Sequence, residues 1–315
     1  MKTSIILPTR NRAKNLDCVL TSLSLQKTTR DYEVIVVDDR SEDNTEEIVK
    51  KYPNVKYYKV DGKHNTWNAS IPRNLGVKMA SGELLWFLDS DVVLPPNAIE
   101  ETVTAFIRGS VARVLIGSYH WLPAQSVTPD DVINKFDDLK EGKLPFLHIE
   151  KKGMLGQKDI RQVSFDKASD SQQEFYSFTD SLACFGGYLL MTKQTFWAAG
   201  GYDESMLAGV EDGDFGVTLF EMGARFSYLK EVCGYHIAHE QPMGRDQNVI
   251  AQQVFRLNEK HHVDMIHESG KAYRRWGIDW LPPAAFYGGD QKKLDEYKKS
   301  WENDKIDFMM KINKV

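Results

Sequence analysis

Short apolar runs alternate with segments of helical periodicity through the first 120 residues. Five runs of large or β-branched apolar residues predict strands, at residues 4–7, 33–37, 55–60, 84–88 and 114–117. Between them, apolar residues recur every three or four positions and predict helices over residues 13–26, 43–51, 71–80 and 97–107. Strands that alternate with helices predict an α/β fold with a mostly parallel central sheet flanked by helices.

The pattern changes character after residue 118. Three prolines (Pro123, Pro129 and Pro145) interrupt it, and residues 151–176 are polar with little periodicity, so we expect a long insertion without regular structure. Regular patterning returns with a predicted strand over residues 181–191, helices over 193–199 and 214–222, and extended segments at 226–229 and 232–236. A polar helix that begins at residue 247 predicts a C-terminal helical extension.

Composition and charge place the chain among soluble globular proteins. Of its 315 residues, 42% are hydrophobic and 27% are charged, and 40 Lys and Arg stand against 45 Asp and Glu for a net charge of −5. This balance argues against a strongly basic nucleic-acid-binding domain. Because there are three scattered cysteines, no signal peptide and no apolar run near the roughly 18 residues of a membrane span, we expect a cytoplasmic protein, with peripheral membrane association left open.

Polar clusters follow three of the predicted strands. Residues 8–12 follow the first strand, residues 38–41 the second, and residues 89–91 the fourth. The carboxyl ends of parallel strands meet at one edge of a sheet, and ligands of α/β proteins bind there. Helix caps and turns also favour Asp and Ser, but they account for one acid per turn better than for paired acids after two strands. Paired acids in this position can hold a divalent cation, which takes oxygen ligands.

Two further groups of candidate residues lie in the second half. Glu211 and Asp212 precede a predicted helix, where they are either capping acids or catalytic carboxylates. His236 and His239 follow an extended run in His-x-x-His spacing. Cys233 extends this spacing into a zinc-like pattern, but no fourth ligand lies nearby in the sequence.

These motifs resemble those of the family 2 glycosyltransferases, which have the nucleotide-sugar-binding GT-A fold. The matching segments of the first half are residues 8–12, 36–41, 72–76 and 87–91. The second half resembles the C-terminal motif of galactosyltransferases and N-acetylgalactosaminyltransferases, at residues 185–187, 200–204 and 209–212. The resemblance covers roughly residues 1–120 and 181–240.

The resemblance implies a donor site on the first-half loops. In the family, the acid that matches Asp39 accepts the uracil N3–H of a UDP-sugar, and the acid that matches Asp89 contacts the ribose or the sugar. Arg73 matches a position where a cation can steady the donor, although an exposed helix charge is an equally good interpretation of it. The positions expected to contact the nucleotide-sugar are Pro8, Thr9, Arg12, Asp39, Arg73, Asp89 and Ser90.

The resemblance also implies a metal and a catalytic base. Asp91 matches the metal-ligating acid, His239 a metal-binding histidine of galactosyltransferase-like relatives, and His236 a second ligand in some of them; the expected ion is Mn²⁺ or Mg²⁺. Asp212 matches the base that takes the acceptor proton, and Glu211 is expected to bind acceptor hydroxyls. Relatives that retain configuration can carry an amide at the position of Asp212, so an acid there favours inversion.

The sequence therefore predicts a metal-dependent inverting glycosyltransferase that moves a sugar from a nucleotide-sugar, with UDP favoured, to a hydroxyl of a glycan or another acceptor. We expect a GT-A catalytic domain over residues 1–245 and a helical extension over 246–315. Within the domain, residues 1–120 form the nucleotide-binding half, 121–180 a variable insertion, and 181–245 the acceptor and catalytic half.

Other classes of function remain as alternatives. They are a retaining transferase of the same fold, a sugar transferase that acts on modified DNA bases, and a non-catalytic carbohydrate-binding protein. A Rossmann oxidoreductase is disfavoured because no Gly-x-Gly-x-x-Gly follows the first strand, and a nucleotidyltransferase is disfavoured because residues 8–12 contain no glycine-rich phosphate loop.

Overall fold

The computed structural model describes residues 1–62, 68–110, 113–122, 127–140, 159, 161–168, 170, 172–206, 210–237, 239, 247–263, 292, 295–296 and 299. The chain divides into two compact units, Met1–Gln241 and Pro242–Val315. The second unit contains the predicted helix at its start, which we call α11, over Gln247–His261. The predicted domain boundary at 245/246 and most of the predicted extension lie outside the described residues.

The first unit is built on one mixed sheet. Its strands are β1 (Thr3–Thr9), β2 (Tyr32–Asp38), β3 (Val55–Lys59), β4 (Leu84–Leu88), β5 (Val92–Val93), β6 (Arg113–Leu122), β7 (Tyr188–Thr192) and β8 (Arg225–Ile237). Their order across the sheet is β3-β2-β1-β4-β7-β6-β8-β5. The pairs β2–β3, β1–β2, β1–β4 and β6–β8 are parallel, whereas β7 is antiparallel to β4 and β6, and β5 is antiparallel to β8.

Helices connect and cover these strands. In chain order they are α1 (Ala13–Ser24), α2 (Thr45–Lys50), α3 (Ser70–Met79), α4 (Ala98–Ile107), α5 (Pro129–Asn134), α6 (Phe136–Lys140), α7 (Gln162–Lys167), α8 (Phe178–Ser181), α9 (Lys193–Ala198) and α10 (Glu211–Glu221). No helix in the described part of the chain is long and apolar enough to cross a membrane.

Strands β1 and β4 form the centre of the hydrophobic core. Every residue of both strands is buried, as expected of strands covered on both faces. Ile5 of β1 pairs with Val34 of β2 on one side and with Trp86 of β4 on the other. This parallel pairing brings the three polar clusters, residues 8–12, 38–41 and 89–91, to the same edge of the sheet, as the sequence predicts.

The antiparallel strands bring the second half of the chain to that same edge. Because Leu88 pairs with Tyr188, the turn before β7 lies beside Asp89, whose amide donates to the Gly187 carbonyl at 3.3 Å. Because Val92 pairs with His236, the end of β8 lies beside Asp91. The sheet order therefore joins the acids that follow β4 to both candidate groups of the second half.

The predicted α/β fold class is confirmed, with differences in the second half. The predicted strand over 181–191 is wrong at its start: residues 178–181 form helix α8, whose N-cap Ser177 accepts from the Asp180 amide, and the strand begins only at Tyr188. A run of small apolar residues has the same hydropathy pattern whether it forms a buried strand or a short buried helix and turn, so the sequence does not separate the two. The two extended segments at 226–229 and 232–236 are one long strand, β8.

The predicted insertion has more structure than its polar sequence suggests. Residues 129–140 form two short helices, and residues 162–167 form α7, while residues 141–158 lie outside the described part of the chain. Arg161 is fully buried and pairs with Asp159, with Nη2 2.6 Å from Oδ2. Its guanidinium also donates to the carbonyls of Ala183 at 2.7 Å and Gly117 at 3.1 Å. Residue 159 and residues 161–168 are therefore docked against the sheet.

Candidate active site

The loops after β1 and β2 are fixed to each other by hydrogen bonds. The Asn11 amide donates to Ser41 Oγ at 2.9 Å, and Asn11 Oδ1 accepts from the Glu42 amide at 2.7 Å. Asn11 and Arg40 have positive φ angles of 53° and 59°, a conformation that asparagine tolerates and arginine adopts rarely. The tight turns thus hold the two polar clusters next to each other at the end of the sheet.

The two acids after β2 have different surroundings. Asp38 accepts from the Tyr57 hydroxyl at 2.6 Å and from the Ser41 amide at 2.8 Å, so its role is to fix the turn. Asp39 is fully buried and is paired with two guanidinium groups, Arg10 Nη1 at 3.5 Å and Arg40 Nε at 2.9 Å. Asp39, unlike Asp38, is therefore paired with charged side chains of the polar clusters themselves.

Thr9 lies at the same edge as Asp39. The Asp39 amide donates to the Thr9 carbonyl at 2.8 Å. The Thr9 hydroxyl is buried and has no hydrogen-bond partner among the described residues. A buried hydroxyl without a partner is costly unless a ligand completes it, which agrees with the predicted nucleotide contact. Pro8 and Ser90 are also buried at this edge.

Asp91, His236 and His239 form a second cluster, on the β5 side of the edge. His236 Nε2 lies 3.3 Å from Asp91 Oδ1, and His239 Nε2 lies 3.0 Å from Asp91 Oδ2. The three ligand-capable atoms are all within 4.8 Å of one another. The Ile237 amide donates to the Asp91 carbonyl at 2.8 Å, and the Trp121 ring lies against His236 with 3.9 Å between centroids. Backbone pairing and ring packing therefore hold this cluster in place.

The ionisation states of this cluster suit a divalent cation. Burial by itself raises the pKa of Asp91, but His236, His239 and Arg12 outweigh it and lower the pKa below its usual range. Burial lowers the pKa of His236, which keeps its imidazole neutral. One carboxylate and two imidazoles are a donor set for Mn²⁺-like ions. Because the three ligand-capable atoms lie within 4.8 Å of one another, these residues would be close enough to hold one ion together.

Arg73 organises a third cluster, between the donor-side acids and the start of α10. Its Nη1 lies 2.9 Å from Asp212 Oδ1 and 3.3 Å from Glu211 Oε1, and its Nη2 lies 3.4 Å from Asp89 Oδ1. Arg73 is only 3% exposed, so the alternative of an exposed helix charge is wrong. The Tyr202 ring faces the guanidinium at 5.1 Å. One cation thus holds three candidate acids within a few ångströms of each other.

Glycine is required in the turn beneath these acids. A Cβ atom on Gly186 would lie 2.3 Å from Arg73 Nη2 and 2.8 Å from Asp212 Oδ1, and one on Gly187 would lie 2.8 Å from Asp89 Oδ2. The Gly186 amide also hydrogen-bonds Asp212. The Gly-Gly pair of the C-terminal motif therefore lets the backbone approach the carboxylates directly.

Burial and the positive charge of Arg73 shift the pKa values of the surrounding acids in opposite directions. Burial raises the pKa of Asp212, while Arg73 and the Gly186 amide partly offset the rise. Burial also raises the pKa of Asp89 to about 6, against the opposing effect of Arg73. Burial lowers the pKa of Arg73, but Asp212, Tyr202 and the other acids outweigh it and raise the pKa well above its ordinary value. The arginine stays charged, and Asp212 is a stronger base than a free carboxylate.

Exposure separates the roles of the two acids at the start of α10. The Asp212 side chain is 26% exposed, so an acceptor can still reach it while its Oδ1 contacts Arg73. The Glu211 side chain is 6% exposed and lies against Arg73. Its predicted contact with an acceptor hydroxyl remains a prediction, as do the individual roles of the other site residues.

Two contributors to the site escape sequence reasoning. Arg161 packs over the ring of Tyr119 at 5.1 Å and over the ring of Phe185 at 4.6 Å, and Phe185 directly precedes the Gly-Gly turn. It lies in a stretch without periodicity, and nothing in the sequence marks it as buried. Tyr202 lies in the Gly-Gly-Tyr-Asp-Glu segment of the C-terminal motif, so its place in that motif could have indicated a role at the site, although not its contact with Arg73.

The mixed α/β sheet that carries these clusters matches the sheet of GT-A glycosyltransferase structures. Residues 4–138 match the family model "Glycosyl transferase family 2". The chain is 31% identical over 256 residues to chondroitin synthase of Escherichia coli, an alignment that covers 77% of this chain and 35% of that protein. Residues 4–138 therefore form a family 2 glycosyltransferase domain, and the predicted family and enzyme class are confirmed.

Solved structures agree on the fold. Staphylococcus aureus TarS 1-349 in complex with UDP-GlcNAc superposes with a TM-score of 0.56 and 19% identity, over 87% of this chain and 72% of that one. Mannosyltransferase PcManGT from Pyrobaculum calidifontis, in complex with GDP-Man and Mn²⁺, gives a TM-score of 0.51 and 17% identity, over 90% and 66%. The chain spans 25% to 60% of the length of the first curated relatives it matches, so their donors, acceptors and linkages are not transferred to it as findings.

Proposed function

We propose that this chain is a metal-dependent, inverting glycosyltransferase that uses a UDP-sugar and a hydroxyl acceptor. The observation that carries the proposal is the arrangement after β4: Asp89 lies against the Arg73–Asp212 pair, and Asp91, two residues on, lies against His236 and His239. Donor-binding and proton-accepting groups are thus joined through one short turn.

The donor side of the proposal rests on Asp39 and Thr9. A carboxylate only accepts hydrogen bonds, so Asp39 suits the N3–H of uracil, and the Thr9 hydroxyl is available for a nucleotide contact. The TarS structure with UDP-GlcNAc supports UDP as the nucleotide, whereas the GDP-Man complex of PcManGT makes GDP the alternative to be tested. The names of the matched relatives give no support to a nucleic-acid acceptor.

The cation side rests on Asp91, His236 and His239. These three residues would hold Mn²⁺ or Mg²⁺, and the ion would supply positive charge for the diphosphate leaving group in place of a general acid. A non-catalytic carbohydrate-binding protein on the same fold would be expected to have lost the acids of the site. Asp39, Asp89, Asp91 and Asp212 are all present, which favours the enzyme.

Asp212 is the proposed catalytic base. Its carboxylate takes the proton of the acceptor hydroxyl as the acceptor oxygen bonds to the anomeric carbon. The bond from that carbon to the phosphate oxygen breaks on the opposite face, and the nucleoside diphosphate leaves with the electron pair. Arg73 holds Asp212 Oδ1, which fixes the orientation of the carboxylate. A single displacement of this kind inverts the anomeric configuration.

A ligand screen tests the donor and the cation together. Thermal unfolding is measured with UDP-, GDP-, CDP- and dTDP-sugars, with and without Mn²⁺, for the wild type and for Asp91→Asn. We expect the largest stabilisation with a UDP-sugar plus Mn²⁺, because a ligand that binds only the folded state raises its stability by mass action. The contribution of Mn²⁺ should vanish in Asp91→Asn. Equal stabilisation by all four nucleotides, or a Mn²⁺ effect that survives in the variant, would contradict the proposal.

A further inference from the structure

Arg12 lies directly against one of the proposed cation ligands. Its Nη2 is 2.9 Å from His239 Nδ1, while Nε2 of the same imidazole is 3.0 Å from Asp91 Oδ2. Arg12 stands at the N-cap of α1, in the loop after β1, and also donates to the Asn11 carbonyl at 3.3 Å. The donor-side loop and the cation cluster therefore meet at His239.

This contact fixes the position of the imidazole proton. A guanidinium carries only hydrogen-bond donors, so His239 Nδ1 must be the acceptor at 2.9 Å. The proton of the neutral ring then lies on Nε2, where it donates to Asp91 Oδ2. Only this tautomer gives each of the two contacts one donor and one acceptor, so the hydrogen bonds assign it.

That tautomer is incompatible with a cation on Nε2. A metal ion binds a ring nitrogen through its free electron pair, which Nε2 offers only when the proton lies on Nδ1. In that form Nδ1 is itself a donor and faces the donors of Arg12 at 2.9 Å. Two donors do not remain at hydrogen-bond distance without an acceptor.

We infer that Arg12 is a latch on the cation site: it must leave His239 before Nε2 can bind a metal ion. The inference rests on the proposed cation site. It gives Arg12 a second role beside its predicted donor contact, because a diphosphate is a natural partner of a guanidinium that has left His239. Phosphate binding and cation binding would then favour each other through one side chain.

The position of the proton is the first test. Long-range ¹H–¹⁵N correlation on the metal-free full chain reports whether each ring nitrogen of a histidine carries a proton, and a His239→Gln sample assigns the His239 signals. We expect Nδ1 without a proton and Nε2 with one. A proton on His239 Nδ1 in the metal-free wild type would overturn the inference.

Metal affinity of Arg12→Gln is the second test. A glutamine can accept from Nδ1, so this variant should bind Mn²⁺, titrated without nucleotide, about tenfold more tightly than the wild type. Loss of a positive charge near the site also strengthens cation binding, but salt screens that contribution, so both proteins are titrated at low and at high ionic strength. A gain in affinity that persists at high salt supports the latch, and a gain that disappears there contradicts it.

The proposed cation site can fail separately from the latch. Mn²⁺ binding that is equal in the wild type and in Asp91→Asn would show that this cluster holds no cation, and both proposals about it would fall. Binding that requires Asp91 but is insensitive to Arg12→Gln would leave the cation site standing and remove the latch alone.

Discussion

Arg73 determines how strongly the acids around it hold protons. Burial raises the pKa of Asp212, and the guanidinium 2.9 Å away opposes the rise. The proposed base is therefore protonated, and inactive, at pH values below its raised pKa. Arg73 limits how far that inactive range extends.

Arg73→Gln should consequently move the acid limb of the pH–rate profile. Without the positive charge, the pKa of Asp212 rises further, so the rate should begin to fall at a higher pH than in the wild type. The measurement is kcat/KM against pH for both proteins. A limb that stays in place, or moves to lower pH, would contradict the assignment of Asp212 as the base restrained by Arg73.

Gly186 gives a second test at single-residue scale. A Cβ there would lie 2.3 Å from the buried Arg73 guanidinium, so Gly186→Ala should destabilise the fold by about 1–3 kcal/mol and reduce activity. Gly213, in the first turn of α10, is the matched control because an added Cβ there meets no atom within 4 Å. Gly213→Ala should be neutral or stabilise by up to about 1 kcal/mol. Chemical unfolding of both variants decides, and equal effects would contradict the close approach.

At the scale of elements, α7 is tied to the sheet by a buried ion pair next to it as well as by Phe165, which is fully buried and packs against the Tyr228 ring of β8. Arg161 pairs with Asp159 and donates to the carbonyls of Gly117 and Ala183, next to the Phe185 ring. Removing one partner leaves a buried charge, which costs more than the pair contributes. The docking of residues 161–168 therefore depends on the pair being complete.

Arg161→Met should destabilise the protein by about 3–5 kcal/mol in chemical unfolding, and Asp159→Asn added to it should restore part of that loss. Arg30 and Glu100 provide the comparison: their pair is 32% and 34% exposed, so Glu100→Gln should cost far less than Arg161→Met. An Arg161→Met effect as small as that of Glu100→Gln would show that the docked segment contributes little to the fold.

At the scale of the whole molecule, the sequence predicts the first half better than the second. Parallel strands that alternate with helices have a regular pattern, and the clusters after β1, β2 and β4 meet where that pattern places them. The acids and histidines of the site could be named from motifs. Their partners could not be named, because these contacts are long-range. Arg73 and Glu211 lie 138 positions apart in the sequence, and Arg12 and His239 lie 227 positions apart.

The second half also shows why pattern reasoning fails there. Residues 181–187 are small and mostly apolar, and such a segment suits a buried turn as well as a strand. Arg161 and Asp159 are charged residues that are buried as a pair, and hydropathy gives no sign of this. The function of the molecule depends on these long-range contacts, since they bring the acceptor-side acid to the donor edge.

The most direct test of the central claim is the rate of sugar release from the UDP-sugar identified by the ligand screen, with Mn²⁺, in Asp212→Asn. Loss of a general base typically costs 10²- to 10⁴-fold, so we predict a fall of about that size in kcat with donor affinity retained. Glu221→Gln, an exposed acid at the other end of α10, should keep wild-type activity. Wild-type turnover in Asp212→Asn would contradict the account.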